Sequence, residues 1–248
     1  LFLEKFKIVY FDSLKINVNN LYKAIINFEA LHFEIDQSKR KTLIILPGFS
    51  GDSLKMTISR FYKYLDIIKN KGYSDVYIFN FTCIGGKEKK NFVGDLECSN
   101  LQSILNYKID NMYKKISSHL KNQIIKKKWK NISLLGRSAG GGLSLHLVFT
   151  YKLKVNQLNL ATPGFDCNNE ILDKIKNYHN TGLDIKLFWA EHDKKNDFYK
   201  KGGNQIDAVF KKYYKEKYKL LWDNCLFDCK RYPYMTHRIS KQNYENLI

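Results

Sequence analysis

Gly136-Arg137-Ser138-Ala139-Gly140 places a serine between two glycines at the spacing of a nucleophile turn. A serine held in a tight strand-to-helix turn occupies strained backbone angles, and a side chain at either glycine position would collide with neighbouring elements. The turn needs a strand before it and a helix after it. Residues 132–135 read as a short buried strand, and Gly141-Gly142-Leu143-Ser144-Leu145 opens a helix of small residues. The helix start adds the positive end of its dipole and free N–H groups where an oxyanion would form. The chemistry open to such a turn is attack of the Ser138 hydroxyl on an acyl carbonyl.

A serine hydroxyl is a weak nucleophile until a base takes its proton, so a histidine is required, with a carboxylate to hold its tautomer and stabilise the imidazolium. The best carboxylate is Asp193, in Trp189-Ala190-Glu191-His192-Asp193, directly past a predicted strand over 185–190. Glu191 is the alternative. The best base is His237, in Tyr234-Met235-Thr236-His237-Arg238, after the last predicted strand. His32 and His119 precede the turn, His146 lies in the helix that follows it, His179 stands before the acid's strand and His192 abuts the acid. Each of these five reads as a surface or core residue.

Two oxyanion donors are needed. One is the backbone N–H of Ala139, the residue after the nucleophile; the other should come from the loop after the strand over 43–46. Phe49, in Leu46-Pro47-Gly48-Phe49-Ser50-Gly51, is the candidate, because Gly48 lets the backbone approach closely. An ordinary Pro-Gly turn reads the same residues without function.

The elements that must position these groups alternate between short apolar β-rich runs and longer stretches of helical period, the pattern of a parallel sheet wrapped by crossover helices. Residues 6–11 and 25–35 read as opening strands, a candidate antiparallel pair. Ile58, Phe61, Leu65 and Ile68 form one apolar stripe, ended by Gly72. A strand over 76–81 is followed by a polar loop with Gly85, Gly86 and Gly94, then a long helix marked by apolar residues from Ile104 to Leu120. Three further units follow: strand 157–160 with a helix near 170–176, strand 185–190 with a helix near 208–218, and a final strand around 220–227. The excursion between 160 and 185 is too short for a separate cap domain.

The turn at Pro47-Gly48-Phe49, the Gly136–Gly140 elbow, Glu191-His192-Asp193 and His237 occur in the order serine, acid, histidine, and together they resemble the α/β-hydrolase superfamily from about Thr42 onward. The resemblance implies an α/β-hydrolase fold: a mostly parallel central sheet with helices on both faces and little or no cap domain. It implies Ser138 as nucleophile, Asp193 as acid, His237 as base, Phe49 and Ala139 as oxyanion donors, and no cofactor. Ser138-Ala139-Gly140-Gly141 is similar to the elbow of the hormone-sensitive-lipase group, but the oxyanion loop lacks that group's His-Gly-Gly run. A single domain over 1–248 is expected, with 1–40 as edge strands or an N-terminal addition.

Composition bounds the alternatives. With 44% hydrophobic and 15% aromatic residues the chain is not a disordered one, and no apolar run reaches the roughly 18 residues that span a bilayer. The net charge of +18 would favour acidic partners. Lysine is spread over almost every segment, however, so the basic surface reads as solvated; 211–219 reads as a solvated helix and Lys126-Lys127-Lys128 as a polar loop. Cys83, Cys98, Cys167, Cys225 and Cys229 form an odd set with no CxxC pair and no zinc spacing, which points to neither a disulfide framework nor a metal site. The chain begins at Leu1 rather than methionine, so a removed leader fits it, and the cytoplasm is the favoured location.

The expected function is hydrolysis of a carboxylic ester or thioester, esterase- or lipase-like, on a small-molecule acyl or lipid-like substrate. The alternative is a non-catalytic α/β-hydrolase scaffold that binds a ligand or partner. Nucleic acid is not an expected partner, whereas peripheral contact with an anionic membrane is one outcome of the basic surface.

Overall fold

The computed structural model describes residues 6–19, 22–35, 40–47, 65–87, 97–98, 112–163, 169–178, 182–190, 203–223 and 245–248. Among the described residues nine strands form one sheet: β1 (Phe6–Asn19), β2 (Tyr22–Glu34), β3 (Thr42–Leu46), β4 (Asp75–Lys87), β5 (Glu97–Cys98), β6 (Ile132–Arg137), β7 (Gln157–Ala161), β8 (Asp184–Ala190) and β9 (Tyr218–Asp223). Their order is β1-β2-β4-β3-β6-β7-β8-β9, with β5 paired to β4. From β4 to β9 all neighbours on this path are parallel, while β1/β2, β2/β4 and β4/β5 are antiparallel.

The parallel strands are short apolar runs because both their faces are covered. Ile44, Leu46, Leu134, Leu158, Leu160, Ile185 and Leu187 point to one core. That core is closed by α2 (Met112–Lys126), α3 (Ala139–Leu145), α4 (Asn169–Lys176) and α5 (Asn204–Tyr214). Leu43, Ile45, Leu135, Ala161, Phe188 and Leu221 point to the other, closed by α1 (Leu65–Asn70), Leu247 and Ile248. The alternation along each strand is the two-residue period of a pleated chain.

α1 stops where the apolar stripe predicts. Gly72 has φ 76, its N–H donates to Lys69 O at 2.9 Å, and the Tyr73 N–H reaches Ile68 O at 3.4 Å. These are the two reversed bonds of a Schellman C-cap, with Tyr73 and Ile68 packed in one apolar cluster. The first half of the predicted stripe, at Ile58 and Phe61, lies outside the described residues.

Several boundaries differ from the sequence expectation. Both opening strands are longer, because β1 and β2 build one antiparallel ladder with register shifts between Phe11 and Leu14 and between Asn17 and Asn19. Gly85 and Gly86, expected in a loop, belong to β4, where they pair with Ala24 and Lys23 of β2. The weak strand preference of glycine is overridden by a partner strand that runs on alongside. α2 continues past Leu120 to Lys126, so the first residue of the expected polar loop is helical. Its ammonium donates to the Asp12 carboxylate at 3.0 Å, at the irregularity in β1.

At the other end of the chain, α5 closes at Tyr214 rather than near 218. Tyr214 is anchored in the core, with its hydroxyl donating to Tyr178 O at 3.1 Å. Lys215 takes φ 37 and a single 3₁₀ turn over Lys215–Lys217 delivers the chain into β9. The stretch 211–219 is therefore helix, turn and strand in succession. Lys211 pairs with Asp207 at 2.8 Å and Lys217 with Asp184 at 3.5 Å.

After α3 the helix widens into a π turn, His146–Thr150. The His146 ring is half-buried beside Tyr113, hydrogen-bonds Thr150 Oγ1 at 3.1 Å, and has its pKa lowered from 6.5 to about 4, by burial first and by the Lys114 charge second. The ring therefore stays neutral in the folded chain at pH values where the unfolded chain binds a proton. Stability is full above pH 6.5 and falls as pH drops from 6.5 towards 4. His146→Gln is expected to flatten that interval of the stability–pH curve, a difference on the order of 2 kcal/mol by urea denaturation at pH 4 against pH 7. An unchanged slope would remove His146 as its source.

Candidate active site

β6 carries Ser138 to the C-terminal edge of the sheet at the position where strand order reverses: β3, at the turn-over point, has β4 on one side and β6 on the other. Ligands of open α/β sheets bind outside the strand ends at such a point, because the connections leave in opposite directions and open a crevice. Ser138 has φ 49 and ψ −124, a combination that glycine adopts readily and other residues adopt only under constraint. Its N–H donates to Ala161 O at 2.9 Å, and its own carbonyl accepts from Gly141 N–H at 2.8 Å. Strand β7 on one side and helix α3 on the other thus hold both peptide groups of the serine.

Three glycines make this possible by what they lack. A Cβ on Gly136 would lie 2.6 Å from Gly140 O and 2.8 Å from Gly141 Cα. One on Gly140 would lie 2.5 Å from Leu46 C and 2.6 Å from Pro47 O. One on Gly141 would lie 2.7 Å from Pro163 Cα. The first two are the collisions expected from the motif; the third was not foreseen, since Gly141 falls outside the five-residue pattern. Ser144 Oγ donates to Gly140 O at 2.8 Å and the buried Ser117 hydroxyl donates to Leu143 O at 3.1 Å, tying α3 internally and to α2.

The Ser138 side chain stands at the N-cap of α3 but makes no capping hydrogen bond. It is partly exposed, whereas every residue of Ala139–Leu145 is buried. Ala139 is the first helical residue, so its N–H is one of the donors that a helix leaves without an intrahelical acceptor. Ser138 and Ala139 are thus placed together at the edge. Thr162, just past β7, has φ 42 and its N–H donates to Phe188 O at 2.8 Å, which locks the neighbouring strand end against β8. No residue-type signal marks Thr162, because threonine does not favour that region.

β8 is parallel to β7, with Ala161 opposite Phe188, so the chain leaves β8 after Ala190 at the same edge as Ser138. Asp193 and the alternative Glu191 follow that exit, and β9, parallel to β8, ends at Asp223 on the same side. Asp193, Glu191, His237 and Phe49 themselves lie outside the described residues. Of the other candidate bases, His32 Nε2 donates to Asp75 Oδ1 at 2.7 Å at the opposite end of the sheet, and His119, on α2, donates from Nε2 to the Asp12 carbonyl of β1 at 2.6 Å. His146 sits two turns into the helix that follows Ser138. Each has a structural partner away from the serine. His179 and His192 lie outside the described residues. Among the described residues no group of three or more His, Cys, Asp or Glu side chains is arranged to hold a metal ion, and no helix is long and apolar enough to cross a membrane.

The fold is that of the α/β-hydrolases. A predicted CIB-like hydrolase from Thermoplasma acidophilum superposes with a TM-score of 0.50 over 97% of this chain and 100% of its own, at 12% identity. A dienelactone-hydrolase-like promiscuous phosphotriesterase from metagenomic libraries gives 0.50 over 88% of this chain and 81% of its own, at 11% identity. No family model matches the chain, and no curated protein sequence matches it.

If the Ser138 backbone is strained because it carries a Cβ, glycine should relax it. Ser138→Gly is expected to be more stable than Ser138→Ala by about 1 kcal/mol, the strain relieved exceeding the added freedom of the unfolded chain. Urea denaturation of the two variants measures this, and equal stabilities would show that the turn is not strained.

Proposed function

We propose that the chain is a serine hydrolase that cleaves a carboxylic ester or thioester through an acyl-enzyme on Ser138. The observation that carries this reading is the serine itself: a non-glycine residue held at φ 49 on the switch-point edge, its hydroxyl not spent on capping, at the start of a helix packed through glycines. Strain of this kind persists only where the surroundings over-determine it, and it concentrates at functional sites. The hydrolase names borne by proteins of like fold are in keeping with the reading.

In the proposed reaction His237 takes the Ser138 proton as Oγ attacks the acyl carbon, and Asp193 holds the imidazole and stabilises its charged form. The N–H groups of Ala139 and Phe49 receive the oxyanion. Collapse of the tetrahedral intermediate breaks the bond to the leaving alcohol or thiol, which takes the proton from His237. Water, deprotonated by the same histidine, then releases the acid. No step calls for a cofactor. The substrate is a small-molecule acyl ester or a lipid-like one.

The test is covalent labelling by a fluorophosphonate probe, with the modified peptide mapped. The intact chain should label on Ser138; Ser138→Ala should abolish labelling, and His237→Ala should slow it by about 10²–10⁴. A folded chain that does not label would overturn the proposal in favour of a non-catalytic scaffold.

A further inference from the structure

β4 and β5 pair antiparallel, and their register sets Cys83 directly opposite Cys98, with Ile84 opposite Glu97. Residues opposite one another in an antiparallel pair have Cα atoms about 4.5 or 5.5 Å apart, depending on whether the pair is hydrogen-bonded. Both values lie inside the roughly 4.4–6.8 Å that a disulfide spans. Residues placed opposite one another in a ladder lie on one face of it, the backbone placement that a cross-strand disulfide requires. A linear scan of cysteine spacing does not reveal this, because the two are brought together by pairing and not by a CxxC turn.

A link between these two residues would tie β5 to β4 covalently. The linked position lies beyond the last rung between β4 and β3, Ile45 to Ile78, at the end of the sheet from which Ser138 rises.

We propose that Cys83 and Cys98 are a redox pair that closes to a cross-strand disulfide. The oxidant is a small-molecule disulfide such as oxidised glutathione. The thiolate of one cysteine attacks a glutathione sulfur, the glutathione S–S bond breaks, and one glutathione leaves as thiolate. The thiolate of the second cysteine attacks the protein-bound sulfur of this mixed disulfide and expels the second glutathione. The protein loses two protons and two electrons, and the glutathione disulfide is reduced to two thiols. The step does not involve Ser138, so it stands or falls apart from the hydrolase reading.

The experiment equilibrates the full, folded chain in glutathione buffers of graded reduced-to-oxidised ratio, quenches in acid and alkylates with N-ethylmaleimide. Mass spectrometry of the digest then locates each cysteine. The expected result is a peptide pair joined through residues 83 and 98, two hydrogens lighter than the free thiols. Its population should rise along a single oxidation curve and vanish under dithiothreitol. In Cys98→Ser, Cys83 should be recovered as the glutathione mixed disulfide in the oxidising buffers. Alkylation of both cysteines at the most oxidising ratio would overturn the proposal, and so would linkage of either to Cys167, Cys225 or Cys229.

Discussion

A Cβ on Gly140 would overlap the backbone at Leu46 and Pro47, and one on Gly136 would overlap the first turn of α3. The approach of α3 to the ends of β3 and β6 is therefore backbone on backbone, with no side chain between them. Much else follows from that contact. It forces the chain to reverse within one residue between β6 and α3, which places the positive φ on Ser138. It seats the helix N-terminus at the sheet edge with the Ala139 N–H at its start. It also sets β3, whose end carries Pro47 towards the oxyanion-loop candidate, beside Ser138.

The contact is sustained by burial on both faces of the sheet. α3 is buried along its whole length, wedged between strand ends and α2, so a shift that relaxed Ser138 would drag Leu143 and Leu145 out of the core. Moving even one such side chain from the core to water costs about 1.5–3 kcal/mol, comparable to or larger than the strain held in one residue. Packing therefore wins over local backbone preference. Thr162 is held in the same way, through its N–H to β8, so two adjacent strand ends carry residues in the left-handed region.

The parts of the fold that were legible in the sequence are those whose signal is local. Short runs rich in apolar residues marked β3, β6, β7 and β8, although buried polar residues, Ser133 and Asn159, stand within two of them. Gly72 marked a helix end because a left-handed C-cap favours glycine. The elbow was legible because its steric demand is met by residue type at fixed spacing. Gly141 was not, since it answers to Pro163, which is distant in sequence. The ends of β4 and α5 were illegible for the same reason: Gly85 and Gly86 are strand residues only because β2 runs beside them, and α5 stops where Tyr214 meets Tyr178. Ser138 and Ala139 stand where the motif put them. Asp193, His237 and Phe49 lie outside the described residues; the parallel register shows only that β3, β8 and β9 end at the same edge as β6.

The long arms of β2 and β4 bear on the site as well. β3 has five residues and β4 thirteen, so β4 overruns its parallel neighbour by the whole segment from Phe79 to Lys87, and β2 alone pairs with most of that overrun. At about 3.3 Å per residue this projects roughly 30 Å past the last β3–β4 rung. An antiparallel ribbon on one flank of a parallel sheet thus rises above the edge that carries Ser138, two strands away from β6. Parallel strands need a helix between them and end together near one plane, whereas antiparallel partners can run on as far as their ladder does. The asymmetry between the two halves of the sheet follows from the change of strand direction at β2, and it carries that half of the sheet beyond the strand ends at which Ser138 stands.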